Sequence, residues 1–377
     1  MSRSIIVSPG PVDVAPEALS ALASLHHRSR DFEIVVSESS ALIRESLGTK
    51  HPVHFIAASG TGAMEAAVVN ATAPGERFLA VSCGKFGDRW AEIAAAYGCD
   101  VSVMRAPDGA AAEAEAVADR VRRERPRHIA VTHVESSTGV LFPLRELAGL
   151  LGDDRPVMIV DAVSSFAAEE LEMDAWGIDV VVGASQKGLA APPGASFVAM
   201  ATRSREGAPR RGAYYFDLAR YASALGESET PFTPAVQTMQ LVHRSLSLMR
   251  RAGFDAVRSR HRRASAAFLS ACGALGLRPF SEVPSSAVQA LACPQGIPGE
   301  AVLEGLSRRG FIAAGGQGKL RGRIIRTGFL GLHDGATLLR LVRAIGESLR
   351  ESGVPVDSTE AEGLIKEYAE PRPLLNH

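Results

Sequence analysis

The sequence predicts an α/β protein built on a mainly parallel sheet, and two features of the chain support this. From about residue 53 to residue 200, short runs rich in β-branched residues alternate with helix-forming stretches, the pattern of parallel strands covered by helices. Each run is followed by Gly, Ser or Thr, so the carboxyl ends of the strands should open toward one shared crevice. The predicted strands are Val53–Ala58, Phe78–Ser82, His128–Val134, Val157–Asp161 and Asp179–Gly183.

The length of 377 residues predicts a second, smaller unit after this sheet. The chain looks predominantly helical from Pro231 to about Arg263. Short strands are then expected at Leu275–Arg278, Ala287–Cys293, Phe311–Ala314 and Arg323–Thr327, which indicates an α+β unit. We expect an N-terminal arm over residues 1–15, a large domain over 16–255 and a small C-terminal domain over 256–377, with a short helix and a loose tail from Ser358.

The composition indicates an ordinary globular protein that acts on small molecules. The formal net charge is −1, so the long-range attraction that a nucleic-acid binder needs is missing. The four cysteines stand far apart and form neither a metal-ligand pattern nor a disulfide framework, and no stretch approaches the roughly 18 apolar residues of a membrane helix. We expect a cytoplasmic protein with no metal, no nucleic-acid partner and no membrane contact.

Asp161 and Lys187 give the strongest local signal for chemistry, because both are expected at strand ends. A buried carboxylate is costly unless a cation meets it, and the protonated pyridine nitrogen of pyridoxal 5′-phosphate (PLP) is such a cation. Partial burial beside this cofactor would lower the pKa of Lys187, giving a neutral amine that forms an imine and later moves the α-proton. Considered singly, Asp161 is also explained as a turn residue and Lys187 as an exposed lysine.

The turn Ser59-Gly60-Thr61 follows the first predicted strand and opens a helix, so its backbone N–H groups and hydroxyls are suited to a phosphate. Phe86 follows the next strand between glycines and could stack on a planar cofactor, with Val163 on the opposite face. Ser136 ends a third strand and could donate a hydrogen bond to the cofactor's phenolic oxygen. Taken alone, an ordinary turn or a core phenylalanine explains each of these equally simply.

Arg326 lies in the apolar run Arg323–Gly328 of the small unit, where an unpaired guanidinium would be expensive. A substrate carboxylate held by its planar fork would satisfy this group. A structural ion pair is the competing explanation.

Together these residues resemble the class V aminotransferases of PLP fold type I, particularly the alanine–glyoxylate, serine–glyoxylate and serine–pyruvate branch. The resemblance covers nearly the whole chain and is specific only when its segments are taken together. These segments are Pro9-Gly10-Pro11, His27-Arg28-Ser29, Ser59-Gly60-Thr61-Gly62-Ala63-Met64-Glu65-Ala66, Glu135-Ser136-Ser137-Thr138-Gly139, Val160-Asp161-Ala162-Val163-Ser164-Ser165, Ser185-Gln186-Lys187-Gly188-Leu189, Gly315-Gly316-Gln317-Gly318 and Arg326-Thr327-Gly328. It implies the type I fold, with a mainly parallel seven-stranded sheet in a large PLP-binding domain and a smaller C-terminal α+β domain.

The resemblance also implies the roles of individual residues. Lys187 would form the internal aldimine and Asp161 would contact the pyridine nitrogen. Substrate would be bound by Arg326, which would hold its carboxylate, and by Gly10. The remaining cofactor contacts would come from Ser59, Gly60, Thr61, Phe86, Ser136, Val163, Gln186 and Thr233. Such enzymes are typically homodimers with active sites at the interface, and Thr233 resembles the residue that reaches the partner's phosphate.

Two features depart from the best-known alanine–glyoxylate enzymes. Phe86 stands where related enzymes often have Trp, which should preserve stacking but change the shape of the pocket. The segments Tyr214-Tyr215-Phe216-Asp217 and Glu229-Thr230-Pro231-Phe232-Thr233-Pro234 look more like those of aspartate- or phosphonate-handling relatives.

We therefore expect a PLP-dependent aminotransferase that moves an amino group from a small amino acid or amine to an oxo acid such as pyruvate or glyoxylate, by a ping-pong mechanism through the Lys187 aldimine. A PLP-dependent lyase and an aminophosphonate transaminase are the alternatives. A cysteine desulfurase is less well supported, because Cys272 lies in a helix-like context and Cys293 at a strand end. A non-catalytic binding relative is disfavoured by the presence of Lys187 together with Asp161.

Overall fold

The computed structural model describes residues 4–14, 18–19, 22–152, 155–205, 213–226, 229–331 and 333–368. Its strands are β1 (Ile5–Ile6), β2 (Val53–Ile56), β3 (Arg77–Ser82), β4 (Asp100–Arg105), β5 (His128–Thr132), β6 (Val134–Glu135), β7 (Val140–Leu141), β8 (Val157–Asp161), β9 (Val180–Ala184), β10 (Ser196–Met200), β11 (Arg278–Pro279), β12 (Val288–Ala292), β13 (Phe311–Ile312), β14 (Ala314–Gly315) and β15 (Ile324–Gly328). Its α-helices are α1 (Arg30–Ser46), α2 (Gly60–Ala71), α3 (Lys85–Ala96), α4 (Ala114–Glu124), α5 (Leu144–Leu151), α6 (Leu218–Gly226), α7 (Val236–Ala252), α8 (Phe254–Ala274), α9 (Gly299–Arg308), α10 (Gly335–Glu351) and α11 (Thr359–Tyr368).

The large sheet has seven strands in the order β2-β10-β9-β8-β5-β3-β4. Strands β9, β8, β5, β3 and β4 pair in parallel, and β10 runs antiparallel to both β9 and β2. This confirms the prediction of a mainly parallel seven-stranded sheet. The carboxyl ends of the parallel strands lie at one edge, which is where an open α/β sheet binds its ligands.

Apolar side chains alternate between the two faces of this sheet, because successive residues of a strand point in opposite directions. Met158 and Val160 of β8 belong to the core on one face, and Ile159 belongs to the core on the other. All five residues of β8 are buried, which explains why its sequence is a continuous apolar run rather than an alternating one. No helix among the described residues is long and apolar enough to cross a membrane.

The C-terminal part of the chain forms a second, antiparallel sheet in the order β11-β12-β15-β14. It has its own hydrophobic core, in which the ring of Phe268 packs edge-on against Phe329 with the ring centroids 4.8 Å apart. The N-terminal strand β1 joins this part by pairing with β13. The predicted small α+β unit is confirmed, whereas the domain boundaries at residues 15 and 255 stay predictions.

The element bounds differ from the sequence predictions where polar residues interrupt a pattern. The expected strand His128–Val134 is broken at His133, whose N–H bonds to the carbonyl of Asp161 while Val134 turns away to pair with β7. Strands β4 and β10 were not predicted. Strand β4 is a half-buried edge strand with polar ends, so it lacks a continuous apolar run. The helix expected to end near Arg263 continues to Ala274. The predicted loose tail lies outside the described residues from 369 onward.

Asp179 stabilises the edge of the large sheet at which the parallel strands begin, opposite the edge formed by their carboxyl ends. Its buried carboxylate accepts the N–H of Met158 at 2.8 Å and ion pairs with Arg155 at 2.5 Å and Arg203 at 2.9 Å. We predict that Asp179→Asn lowers the free energy of unfolding by about 2 kcal/mol, because two guanidinium groups lose their counter-charge. Urea denaturation of the purified variant measures this change.

Glu45→Gln is the matched control, since Glu45 pairs with Arg250 at 3.1 Å and both side chains are exposed. An exposed pair of this kind contributes about 0 to 1 kcal/mol. Equal stability losses in the two variants would contradict the structural role assigned to Asp179.

Candidate active site

A cavity of about 310 Å³ opens at the carboxyl edge of the large sheet. It lies where the segments that follow β2, β3, β8 and β9 converge, as the parallel topology requires. The residues that line it are Gly10, Pro11, Ser59, Gly60, Thr61, Met64, Phe86, Arg89, Val134, Ser136, Asp161, Val163, Ser164, Gln186, Lys187 and Pro193.

The structure brings the predicted site residues together with two exceptions. Arg326 does not line the cavity but is hydrogen-bonded to Ser136, which does. Thr233 is exposed and lies outside the cavity of its own chain. The other predicted residues line the cavity, although they come from segments up to 177 positions apart, from Gly10 to Lys187.

Lys187 follows the end of β9, and its Nζ donates a hydrogen bond to the carbonyl oxygen of Pro9 at 2.6 Å. Burial is the main cause that lowers the pKa of Lys187 to about 8; the charge of Asp161 opposes this lowering, and the Arg326 guanidinium adds to it. Gly10 permits this arrangement, because a Cβ there would lie 2.9 Å from Nζ. A substantial fraction of this amine is therefore neutral near physiological pH.

Asp161 is the last residue of β8 and is 4% exposed. Its Oδ1 accepts the N–H of Val163 at 2.8 Å. Burial is the main cause that raises the pKa of Asp161 to about 7; the Val163 hydrogen bond opposes this rise, and the carboxylate of Glu135 adds to it. A carboxylate in this position is stabilised by a cation placed in the cavity.

The amino end of α2 forms one wall of the cavity. Ser59 precedes this helix but makes no side-chain cap, so its hydroxyl is not committed to the helix. Gly60 lies close to Val163, since a Cβ there would come 2.8 Å from its Cγ2. The buried Oε1 of Gln186 has no hydrogen-bond partner among the described residues. Helix-terminal N–H groups beside an uncommitted hydroxyl are suited to an anion, whereas the amide oxygen of Gln186 can only accept a hydrogen bond.

Arg89 is a cavity residue that the sequence analysis missed. Its guanidinium lies over the ring of Phe86, 4.7 Å from the centroid, and donates to Oγ1 of Thr61 at 2.9 Å. Arg89 stands three positions after Phe86 on α3, and residues with this spacing share one helix face. That spacing is the signal that could have identified it.

Glu135 was quoted only as part of a motif, yet it is completely buried beside the site. Its carboxylate accepts the backbone N–H groups of Phe86 and Gly87 at 2.9 and 3.0 Å. Burial raises the pKa of Glu135, although hydrogen bonds from Ser137, Gly87 and Phe86 act in the opposite direction. Nothing in its sequence position predicts this contact, because the two segments are about 50 residues apart.

Arg326 reaches the site from β15 of the small sheet. Its Nε donates to the carbonyl of Gly315 at 2.9 Å and its Nη1 to the carbonyl of Ser136 at 2.7 Å. Arg326 forms no salt bridge within the described part of the chain. The competing explanation, a structural ion pair, is therefore not supported. Burial lowers the pKa of Arg326, while Glu135 raises it. Its positive charge is therefore only partly balanced.

Comparison with known proteins gives a consistent result. Residues 17–308 match the family model described as aminotransferase class-V. The chain is 35% identical to a protein named soluble hydrogenase, small subunit, from Synechococcus (93% of this chain, 94% of that one), and 30% identical to alanine–glyoxylate aminotransferase of Callithrix jacchus (92% and 87%). The crystal structure of a subgroup IV aspartate aminotransferase from Thermus thermophilus superposes with a TM-score of 0.86, at 35% identity (92% and 99%).

The family match covers most of the chain, and the relatives align along nearly their whole length. The type I fold expected from the sequence is confirmed by this superposition together with the observed sheet. The chain belongs to the aminotransferase class-V family, and it is a PLP-dependent aminotransferase.

Proposed function

We propose that this enzyme transfers the amino group of a small amino acid to glyoxylate or pyruvate by a ping-pong mechanism in which Lys187 carries the cofactor. The observation that supports this most strongly is the pairing of Lys187, with its pKa lowered to about 8, and the buried Asp161 in one cavity. A neutral amine is the form of lysine that attacks a carbonyl and accepts a proton.

The residues of the cavity fit PLP. A cavity of about 310 Å³ is within the lower range of sites for small ligands and cofactors. Within the described residues the buried carboxylate of Asp161 has no ion-pair partner and accepts the N–H of Val163, so a protonated pyridine nitrogen would supply the missing cation. The open amino end of α2 and the uncommitted hydroxyl of Ser59 provide donors that suit the phosphate.

When bound, PLP supplies an electron-withdrawing ring that stabilises negative charge on the substrate carbon. Lys187 would hold the cofactor covalently and, once released by the donor amine, would carry a proton between the substrate's α-carbon and the cofactor. Asp161 would keep the ring nitrogen protonated. Ser136 would donate to the ring's phenolic oxygen, and Phe86 and Val163 would contact its two faces.

The phosphate would be held by Ser59, Gly60, Thr61 and Gln186. We also propose that the enzyme is a homodimer in which Thr233 completes the partner's phosphate site. The exposure of Thr233 and its distance from its own cavity support this, because the side chain is available to a second copy. The exposed Tyr214, at 66%, lies close to the same segment through its ring contact with Phe232.

The substrate's carboxylate would be bound by Arg326, with Gly10 beside the reacting amine. Relatives named for alanine–glyoxylate and aspartate amino transfer support a carboxylate-bearing donor. We therefore propose alanine, serine or aspartate as donor. If the donor were instead an aminophosphonate without a carboxylate, Arg326 would bind the carboxylate of the oxo acid alone.

The lyase alternative has no specific support in the site, and the cysteines argue against desulfurase chemistry. A desulfurase needs an accessible nucleophilic thiol. Cys272 is fully buried, and burial raises its pKa far above the ordinary value; burial likewise raises the pKa of Cys293 to about 11. The four cysteines are free thiols, which supports the proposed cytoplasmic location.

Steady-state kinetics with paired donors and acceptors test the ping-pong proposal. We predict parallel double-reciprocal lines for alanine or aspartate against glyoxylate, and a loss of at least about a thousandfold in kcat for Lys187→Ala, since proton transfer contributes on this scale. Without an oxo acid, the wild-type enzyme should stop after one amino group per active site. Continued product formation without acceptor would instead indicate a lyase.

The pH dependence of Lys187 reactivity in the cofactor-free protein gives a second test. Burial lowers the pKa, so the neutral amine should appear with a midpoint near pH 8 when labelling by a small acylating reagent is followed by peptide mass spectrometry. Asp161→Asn should move this midpoint to lower pH, because the carboxylate opposes the lowering. A midpoint above pH 10 in the wild-type protein would contradict the burial of this amine.

A further inference from the structure

Helix α3 begins without a cap of its own. Gly84, at the N-cap position, has no side chain, so the first backbone N–H groups of the helix need acceptors from elsewhere. A distant turn supplies them: Ser137 Oγ accepts from Lys85 N–H at 3.0 Å, and Glu135 Oε2 accepts from Phe86 and Gly87 N–H at 2.9 and 3.0 Å. A buried anion at a helix amino end is also favoured by the helix dipole.

The capping carboxylate is itself held in a fixed position. Glu135 Oε1 accepts the N–H of Ser137 at 3.0 Å and its hydroxyl at 2.6 Å. The Glu135 side chain is completely buried, so it is stabilised by these two Ser137 donors and by the N–H groups of Phe86 and Gly87, and not by water. Gly84 leaves the space that this requires, since a Cβ there would come 2.7 Å from Glu135 Cγ.

This contact bears on the site because Phe86 is the second residue of α3. The N–H of Phe86 is bonded directly to Glu135, and its ring lines the cavity. The same turn contributes Ser136, which lines the cavity and accepts from Arg326 through its carbonyl. A shift of the turn would therefore move the stacking ring and the carboxylate-binding arginine together.

We propose that Glu135 is a positioning residue for the cofactor, which it orients by fixing the amino end of α3 and thereby the ring of Phe86. This inference rests on the proposed stacking of Phe86 against PLP. Attraction between stacked rings falls steeply when their spacing increases by 0.5 to 1 Å. Loss of the cap therefore weakens PLP binding even though Glu135 does not line the cavity.

Glu135→Gln tests the proposal with little change in shape. Every donor around the carboxylate points at an oxygen, so the amide nitrogen of Gln must face at least one N–H group. We expect the dissociation constant for PLP, measured by fluorescence titration of the apoprotein, to rise about tenfold. The visible circular dichroism of the bound cofactor should weaken as well, because it reports the ring's orientation.

Glu169→Gln is the matched control. Glu169 is another buried carboxylate that accepts from a backbone N–H, that of Ser286, but it lies outside the cavity. Its replacement should lower the melting temperature while changing the PLP dissociation constant less than about twofold. An equal rise in both variants would show that general destabilisation, not ring positioning, controls cofactor affinity.

A double-mutant cycle with Phe86→Leu separates this inference from the proposal on which it depends. If Glu135 acts through the ring, adding Glu135→Gln to Phe86→Leu should weaken PLP binding less than about twofold further. If each substitution weakens PLP binding in the double variant by the same factor as it does alone, positioning through Phe86 is refuted. Wild-type affinity in Phe86→Leu would refute the stacking itself, whereas a weakened Phe86→Leu beside an unaffected Glu135→Gln would refute only the role of Glu135.

Discussion

The active site depends on the burial of an amine and a carboxylate in one cavity. Withdrawal from water disfavours the charged form of each, so the pKa of Lys187 falls to about 8 while that of Asp161 rises to about 7. The apoprotein thus holds an acid that is close to half-ionised at neutral pH and an amine of which roughly a tenth is neutral, far more than in an ordinary lysine. A cationic aromatic ligand that reacts with amines would relieve both penalties, which is the physical link between the cavity and PLP chemistry.

The sheet topology makes this pairing possible. Strands β8 and β9 are parallel neighbours, so Asp161 at the end of one and Lys187 just beyond the other reach the same edge. Strand β3 leads into α3, which places Phe86 at that edge. Strand β15 of the second sheet carries Arg326, which contacts Ser136 at the cavity. The proposed cofactor and substrate contacts therefore come from elements that belong to two different hydrophobic cores.

Much of the fold and site followed from local patterns. Asp161 and Lys187 were predicted to share a site because both follow apolar strands, and the structure brings both to one cavity, while their chemical roles stay predictions. Strand β10 was not predicted, since nothing local distinguishes an antiparallel strand inserted into a parallel sheet. Arg89 could have been expected beside Phe86 from their spacing on α3, but its contact with Thr61, and the contact of Glu135 with Phe86, join segments far apart in the chain and only the folded structure shows them.

Reduction of the holoenzyme with sodium borohydride, followed by peptide mapping, tests the central claim most directly, because it fixes the cofactor on the amine that carries it. The chain has five lysines, Lys50, Lys85, Lys187, Lys319 and Lys366, so the site of attachment can be assigned without ambiguity. We expect the phosphopyridoxyl group on Lys187 alone, at one per chain. Attachment to another lysine, or no covalent attachment in active enzyme, would contradict the account.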